Sequence, residues 1–511
     1  MEQVIFGDAP LQWQQVVAVA RDGQPLALSD SAWQRMANSR AVVEQIVAQG
    51  ERAYGINTGL GALCNVVLSP QALTTLSRNT LLSHACGVGP LLSVAQTRAI
   101  ICAAIANFSH GYSGIAPATV EKLMALLNGG ITPCVPSQGS VGYLTHMAHV
   151  GLALLGVGEV QCGEQRLPAA EALAQQGIAL LVPGAKEGLS LVNGTPCMTG
   201  LSCLALAETE NLFDWADITG AMSFEALGGQ TVAFDPAVLA LKAGKGQQVV
   251  GERLRTLLQG SEIIAKHQGV RTQDALSLRS MPQIHGACRD QLAFAATQIN
   301  IELNAATDNP LILGQPDAWR VVSQANPHGE AVAMAADNLA IALAEIGSVA
   351  ERRLDRLVNP LVSGLPAFLV TQPGVNSGMM IAQYVAASLC AENKQLAQPS
   401  VLDNYVTSAL QEDHLSLGTL SALKLHKLTD NVRHILAIEY LLAGQALEFH
   451  QGLQLGAGTG QALGRLRERI ATWHEDRWLA PEIATSADIL RQPASRVNAH
   501  QGVLNQSGAL H

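Results

Sequence analysis

Three clusters in this chain combine residue types and spacings that could do chemistry. The first is Tyr54-Gly55-Ile56-Asn57-Thr58-Gly59-Leu60-Gly61, a phenol beside flexible glycine backbone. A tyrosine, with an ordinary pKa of about 10, takes a proton at neutral pH only where cations or hydrogen bonds favour its phenolate. Read alone, such a tyrosine is more often loop packing. The second cluster is Gly139-Ser140-Val141-Gly142-Tyr143-Leu144-Thr145-His146-Met147-Ala148-His149. Its two histidines, three apart on a predicted helix, could share one metal ion, but no third ligand stands nearby and no metal is expected. The third is Glu412-Asp413-His414, which is expected to open a helix, where acidic side chains also complement the dipole.

Other glycine-rich stretches exclude familiar sites. Gly59-Leu60-Gly61 has no third glycine at the dinucleotide-binding offset, and Gly456-Ala457-Gly458-Thr459-Gly460 lacks the Gly-Lys-Ser/Thr ending of a phosphate loop. Gly111-Tyr112-Ser113-Gly114 does not flank its serine as a nucleophile elbow requires.

The elements that must position these residues read as mainly helical. Amphipathic spacing predicts helices near 31–49 and over 70–83, 94–108 and 117–128, each bounded by Gly, Pro or Ser. From about residue 200 onward long 3.6-residue patterns dominate. Ala331–Leu357 carries Met334, Leu339, Ile341, Leu343 and Ile346 at helical spacing, and Asp413–Phe449 is longer still. Strand-like alternation is confined to short stretches such as Glu159–Leu167 and Trp319–Ser323. The expected fold is mainly α, a long central helical bundle with a smaller mixed N-terminal region. On this reading residues 1–195 carry the Tyr54 loop and the Gly142–Tyr143 junction, and 196–511 form the bundle core and C-terminal helices.

Composition narrows the function classes. Of 511 residues 48% are hydrophobic and only 14% charged, which implies a large interior or buried subunit interfaces. A net charge of −10, without a block of Lys or Arg, argues against nucleic acid, and 4% aromatics supply few stacking platforms. The nine cysteines are scattered without a Cys-x-x-Cys pair, as in a reduced cytoplasmic protein. The sequence Met-Glu-Gln-Val-Ile-Phe-Gly-Asp at the start lacks a signal-peptide pattern, and no uninterrupted membrane span is expected.

Longer motifs carry a resemblance. Leu82-Ser83-His84-Ala85, Lys186-Glu187-Gly188-Leu189, Asn193-Gly194-Thr195, Ser277-Leu278-Arg279, Asp308-Asn309-Pro310, Asn376-Ser377-Gly378 and Gln411-Glu412-Asp413-His414 occur in the order seen in the histidine ammonia-lyase (aromatic amino-acid lyase) family. The chain resembles that family from about residue 50 to 450. The resemblance implies a homotetramer acting on a small-molecule imidazole amino acid or betaine. It also implies roles: Tyr54 takes the β-proton, His84 lines the side-chain pocket, and Glu412 accepts a ring N–H of an imidazole. Asn193, Gln273, Arg279 and Asn326 match positions around the substrate amine and carboxylate, with Arg279 suited to a bidentate clamp.

The resemblance breaks at one place. In the family Gly-Ser-Val-Gly is followed by Ala-Ser-Gly, which cyclises into methylidene-imidazolone, the electrophile that bonds to the substrate amine. Here Gly142 runs directly into Tyr143, and the match resumes at Leu144 with three residues fewer. The family's supporting Asp, Phe and Tyr are replaced by Tyr143, Pro327 and Leu276. Without the electrophile, an ordinary ammonium would lose its N–H before the less acidic β-C–H. A quaternary ammonium has no such proton and departs as a neutral amine. The chain is therefore similar to an electrophile-free branch, the ergothionases, which eliminate trimethylamine from a histidine betaine. On that reading no cofactor is expected, Tyr54, Glu412 and Tyr143 are the catalytic candidates, and His146 is an auxiliary one. Two alternatives stand beside it: a histidine ammonia-lyase whose cyclised tripeptide is missing from the chain as written, and a silent homologue that binds an imidazole ligand.

Overall fold

The computed structural model describes residues 3–53, 55–58, 68–402 and 404–497, so Tyr54 and the segment 59–67 lie outside the described residues. The chain divides into two compact units. The first comprises Met1–Ala207, Ala295–Asp337 and Pro399–Leu423, and the second Glu208–Phe294, Asn338–Gln398 and Lys424–His511. Segments 295–337 and 399–423 thus join the N-terminal residues, a grouping that a linear division at 195/196 does not contain. It arises because long helices return the chain past its earlier segments.

In the first unit, serines at the helix starts do what their side chains favour. Ser29, Ser69 and Ser93 cap the helices Asp30–Gln49, Pro70–His84 and Val94–Ser109 by accepting a backbone N–H in the first turn. The first of these ends at Gly50, in the left-handed conformation that glycine adopts without a Cβ clash. Val94–Ser109 is buried along nearly its whole length, and Pro117–Asn128 packs beside it. Val42, Val43 and Ile46 form a core with Ile56, Leu73 and Ile312.

Small sheets pin the loops between these helices. Glu159–Cys162 and Gln165–Pro168 form a hairpin that extends to Ile131–Pro133, and Leu311–Gln315 pairs with Ala318–Val322. The alternation at Glu159–Leu167 is therefore two strands turning at Gly163, rather than one. Most important for the site, Val88–Leu91 pairs antiparallel with Pro136–Gln138, which leads into the Gly139–His149 segment.

The second unit is built from long helices, including the later parts of Pro196–Ala226, Glu330–Val358 and Gly418–Leu447. Buried charges tie them together. Arg353 and Glu439, both without side-chain exposure, pair at 2.5 Å, and Thr219 and Ser223 donate to the same carboxylate at 2.8 and 2.9 Å. Asp217 accepts from His285, Arg253 and Arg289 at 2.8, 2.8 and 2.5 Å. Although burial opposes its charge, Arg289, His285 and Arg253 together hold its carboxyl far below the usual range.

Two expectations need correction. The helix predicted from Asp413 begins only at Gly418. Leu417 sits at a φ of 52° and Thr407 pairs with Glu412 across a tight loop, so Glu412-Asp413-His414 lies in irregular backbone. Composition also allows two membrane-length apolar helical stretches, within Glu187–Ala226 and Glu330–Val358, at mean hydropathies of 1.3 and 1.4. Because 94% of the first and 67% of the second is buried, they read as core.

Candidate active site

The Gly142–Tyr143 junction is a closed loop ahead of the helix Thr145–Leu154. The Ser140 hydroxyl accepts the Gly142 N–H at 3.1 Å and donates to the Tyr143 carbonyl at 3.2 Å, while Thr145 Oγ1 donates to the Gly139 carbonyl at 3.2 Å. Gly139 and Gly142 have φ values of 110° and 141°, where a side chain would be strained. Leu144 has no such freedom yet adopts φ 76° and ψ −58°, and the Thr145 N–H donates to the Tyr143 carbonyl at 3.1 Å. This is a γ-turn, a conformation that costs on the order of 1–3 kcal/mol in a non-glycine residue.

Two segments bond to the junction. The Leu144 N–H donates to the Val192 carbonyl at 2.9 Å, next to Asn193, and the Leu417 N–H donates to the Val141 carbonyl at 2.9 Å. Met198, fully buried, is the common floor. A Cβ placed on Gly142, Gly329 or Gly418 would lie 3.4, 2.6 or 2.8 Å from its Cε. Glycine at these positions lets the junction, the Asn326-Pro327-His328 turn and the segment after Glu412 all reach one side chain.

Of the named side chains, those of His84, Asn193, Asn326, Glu412 and Tyr143 belong to the first unit. His84 ends the helix Pro70–His84, its Nδ1 3.1 Å from Ser83 Oγ. Burial pushes its pKa down, while the Thr80 carbonyl and the nearby Glu412 carboxylate pull it back up. Glu412 Oε2 accepts from Thr407 Oγ1 at 3.0 Å. The buried Asn193 donates both amide hydrogens, to Asp308 Oδ1 at 3.2 Å and to the Asn309 carbonyl at 2.9 Å. The exposed Asn326 donates to the Ala306 carbonyl at 3.0 Å. Tyr143 is half-buried beside them. Gln273 and Arg279 belong to the second unit, where Arg279 Nη1 donates to Gln273 Oε1 at 2.6 Å, and Leu276 between them is exposed.

His146 and His149 do share a helix, but their rings are held by backbone. His146 Nε2 lies 3.0 Å from the Ser137 carbonyl, and His149 Nε2 accepts the Gly87 N–H at 3.1 Å. Burial pushes both pKa values down, which suits neutral structural imidazoles. Closer to Glu412, the rings of His328 and His414 stack with Nε2 and Nδ1 3.0 Å apart. Glu330 completes a group whose donor atoms lie within 4.8 Å of one another. Metal bonds of about 2.0–2.2 Å require closer convergence than that. Moreover, the Glu330 carboxylate faces the other ring nitrogen of His328, Nδ1, at 4.0 Å.

Sequence reasoning missed Met198, Lys186 and Asp308 as contributors. Asp308-Asn309-Pro310 and Lys186-Glu187-Gly188-Leu189 stand out as motifs, but nothing in their local pattern says that they touch Asn193.

A model of the aromatic amino acid lyase family matches residues 11–468, and the chain belongs to that family. It is accordingly a carbon–nitrogen lyase of the ammonia-lyase type. It is similar to the histidine ammonia-lyase of Symbiobacterium thermophilum, 46% identical over 96% of this chain and 97% of the relative. Among solved structures, histidine ammonia-lyase from Trypanosoma cruzi matches with a TM-score of 0.90 and 36% identity, over 97% of this chain and 94% of that one. Ergothionase from Treponema denticola matches with a TM-score of 0.91 at 28% identity, over 98% and 100%. The family's cyclised electrophile does not fit the residues present. Between Gly142 and Tyr143 there is no Ala-Ser-Gly to form it, and the γ-turn at Leu144 closes the connection without it.

Proposed function

We propose that this chain is a lyase acting on the histidine skeleton: it removes a β-proton and expels the amine from Cα, leaving an imidazolyl acrylate. The observation that carries this reading is that the segment following Glu412 and the segment leading into Asn193 both bond to the Gly142–Tyr143 junction, through Leu417 to Val141 and through Leu144 to Val192. A carboxylate can accept an imidazole N–H and orient the ring, whereas a hydrocarbon ring offers it nothing. Full-length similarity to histidine ammonia-lyases supports L-histidine as substrate, with urocanate and ammonia as products, above the betaine expected from the junction alone.

In this reading Tyr54 is the base. The β-C–H bond breaks with its proton passing to Tyr54, its electron pair forms the Cα–Cβ double bond, and the Cα–N bond pair leaves with the amine. From histidine this requires the amine to be held as its ammonium, so that it departs as neutral ammonia. Glu412 holds the ring so that charge developing at Cβ is delocalised into it. By the resemblance alone, Arg279 with Gln273 is the proposed clamp for the carboxylate, and Asn193 and Asn326 are the proposed partners of the amine. Tyr143 is proposed to take up the space beside the leaving group. The homotetramer belongs to the same proposal, and exposed apolar Ile381, Tyr384 and Val385 on one helix offer surface for a second copy.

The absent tripeptide favours a second reading in which the leaving group is trimethylamine. Purified protein with histidine, hercynine and ergothioneine, followed for ammonia, trimethylamine and the acrylate absorbance, separates the two. Ammonia from histidine supports the first reading and trimethylamine the second. Turnover of none of the three overturns both. Light scattering tests the tetramer.

A further inference from the structure

We propose that the buried Lys186–Asp308 pair is a positioning device: it fixes Asn193 with its amide oxygen toward the ligand, so that Asn193 reads the substrate amine as a hydrogen-bond acceptor. This rests on the reading that the ligand is an α-amino acid. Lys186 Nζ lies 2.6 Å from Asp308 Oδ2, and neither side chain is exposed to solvent. Ser190 Oγ stands 3.0 Å from both Lys186 Nζ and Asp308 Oδ2, and lies 3.1 Å from the Ser113 carbonyl. One carboxylate oxygen is thus occupied by Lys186 and Ser190. The other, Oδ1, faces the Asn309 N–H at 2.7 Å and the Asn193 amide nitrogen at 3.2 Å.

The orientation of the Asn193 amide follows from its partners. The Asn309 carbonyl can only accept, and so can an ionised Asp308 carboxylate held by Lys186. Flipping the amide would set oxygen against both, each left with a buried, unmatched lone pair. Both N–H groups are therefore spent inside the protein, and Oδ1 is the amide atom left for a ligand. An oxygen there attracts an ammonium or amine N–H and repels a carboxylate. The frame extends further, since Gln324 Nε2 donates to the Asp308 carbonyl at 2.7 Å and Gln324 N to Asn309 Oδ1 at 2.9 Å. Gln324 Oε1 in turn accepts the Asn326 N–H, so Asn193 and Asn326 share one support.

The test compares each amino acid with its own deaminated acrylate, which has the same ring and carboxylate but no amine. Binding of histidine and urocanate, and of tyrosine and coumarate, is measured for the parent, Asn193→Ala, Ser190→Ala and Lys186→Met/Asp308→Ala. The double variant removes both charges, so no lone ion is left buried. Expected is a loss of about tenfold in affinity for the amino acid in Asn193→Ala and the double variant. The acrylate should bind within about twofold of the parent, and Ser190→Ala should show a smaller loss in the same direction. Equal losses for amino acid and acrylate in folded variants would reduce the pair to scaffolding and overturn the proposal. Should the double variant not fold, Ser190→Ala and Asn193→Ala decide by the same comparison. A parent that binds the tyrosine pair but not the histidine pair would sink the imidazole reading while the amine comparison proceeds on tyrosine. Binding of neither pair overturns both.

Discussion

Gly188→Ala should damage the His84 side of the site without touching a catalytic group. Gly188 lies in the short helix Glu187–Val192, against the helix Pro70–His84. A Cβ there would sit 2.6 and 2.8 Å from the Cα and C of Ser77, and closer still to its carbonyl oxygen. These are backbone atoms, so no side-chain rotation relieves the overlap. Restoring ordinary contact requires the two helices to part by on the order of 1 Å. Ser77 Oγ also donates to the Gly184 carbonyl at 2.7 Å, and that bond would stretch with the separation. Overpacking of this kind costs about 1–3 kcal/mol. His84 follows Ser77 by two helical turns on the same face, so it moves with the displaced backbone. Urea denaturation should show the lost stability, and kcat/KM for the imidazole substrate should fall by about tenfold or more through geometry. Gly464→Ala is the control: it lies in the helix Ala457–Arg467 with nothing within 4 Å of its Cβ position. It should gain up to about 1 kcal/mol from helix propensity. A Gly188→Ala protein as stable and as active as the parent would refute the close-approach reasoning.

Other perturbations test separate parts of the account. Arg353→Met leaves Glu439 buried without its cation and should cost about 3–5 kcal/mol, while Arg353→Met/Glu439→Leu should recover most of it; denaturant midpoints check both. Acid should destabilise the fold through its buried histidines, since burial holds His84, His146, His149 and His285 below the ordinary value. The unfolded chain protonates first, so stability is full above pH of about 6.5 and falls as pH drops through that value, by up to about 1.4 kcal/mol per unit per group. Denaturant titrations between pH 8 and 5, over roughly that range, should show this slope, and a flat profile would contradict it. Glu412→Gln keeps an acceptor for Thr407 but loses the charge, so it should lower kcat/KM for imidazole substrates by about ten- to a hundredfold with little change in stability.

Much of the architecture was legible in local pattern. The helices over 31–49, 70–83, 94–108 and 117–128 match the structure to within a residue or two, because each begins at a Ser or Pro and repeats apolar residues every three to four positions. The helix predicted from Asp413 failed for a reason no window could see. The N–H of Leu417 is spent on Val141, far back in the chain, and the helix starts only after that bond.

The same division holds for the site. By itself the sequence determined the residue types and the chemistry they permit: Tyr54, His84, Glu412 and Arg279 in family order, and a junction with no Ala-Ser-Gly between Gly142 and Tyr143. Only the tertiary structure decided that three glycines converge on Met198, and that Asn193 spends both amide hydrogens on a carboxylate held by Lys186. Side-chain periodicity is a property of neighbours in the chain, whereas hydrogen-bond polarity is set by whichever groups lie opposite. Asp308 comes 115 residues after Asn193, and only folding brings it there.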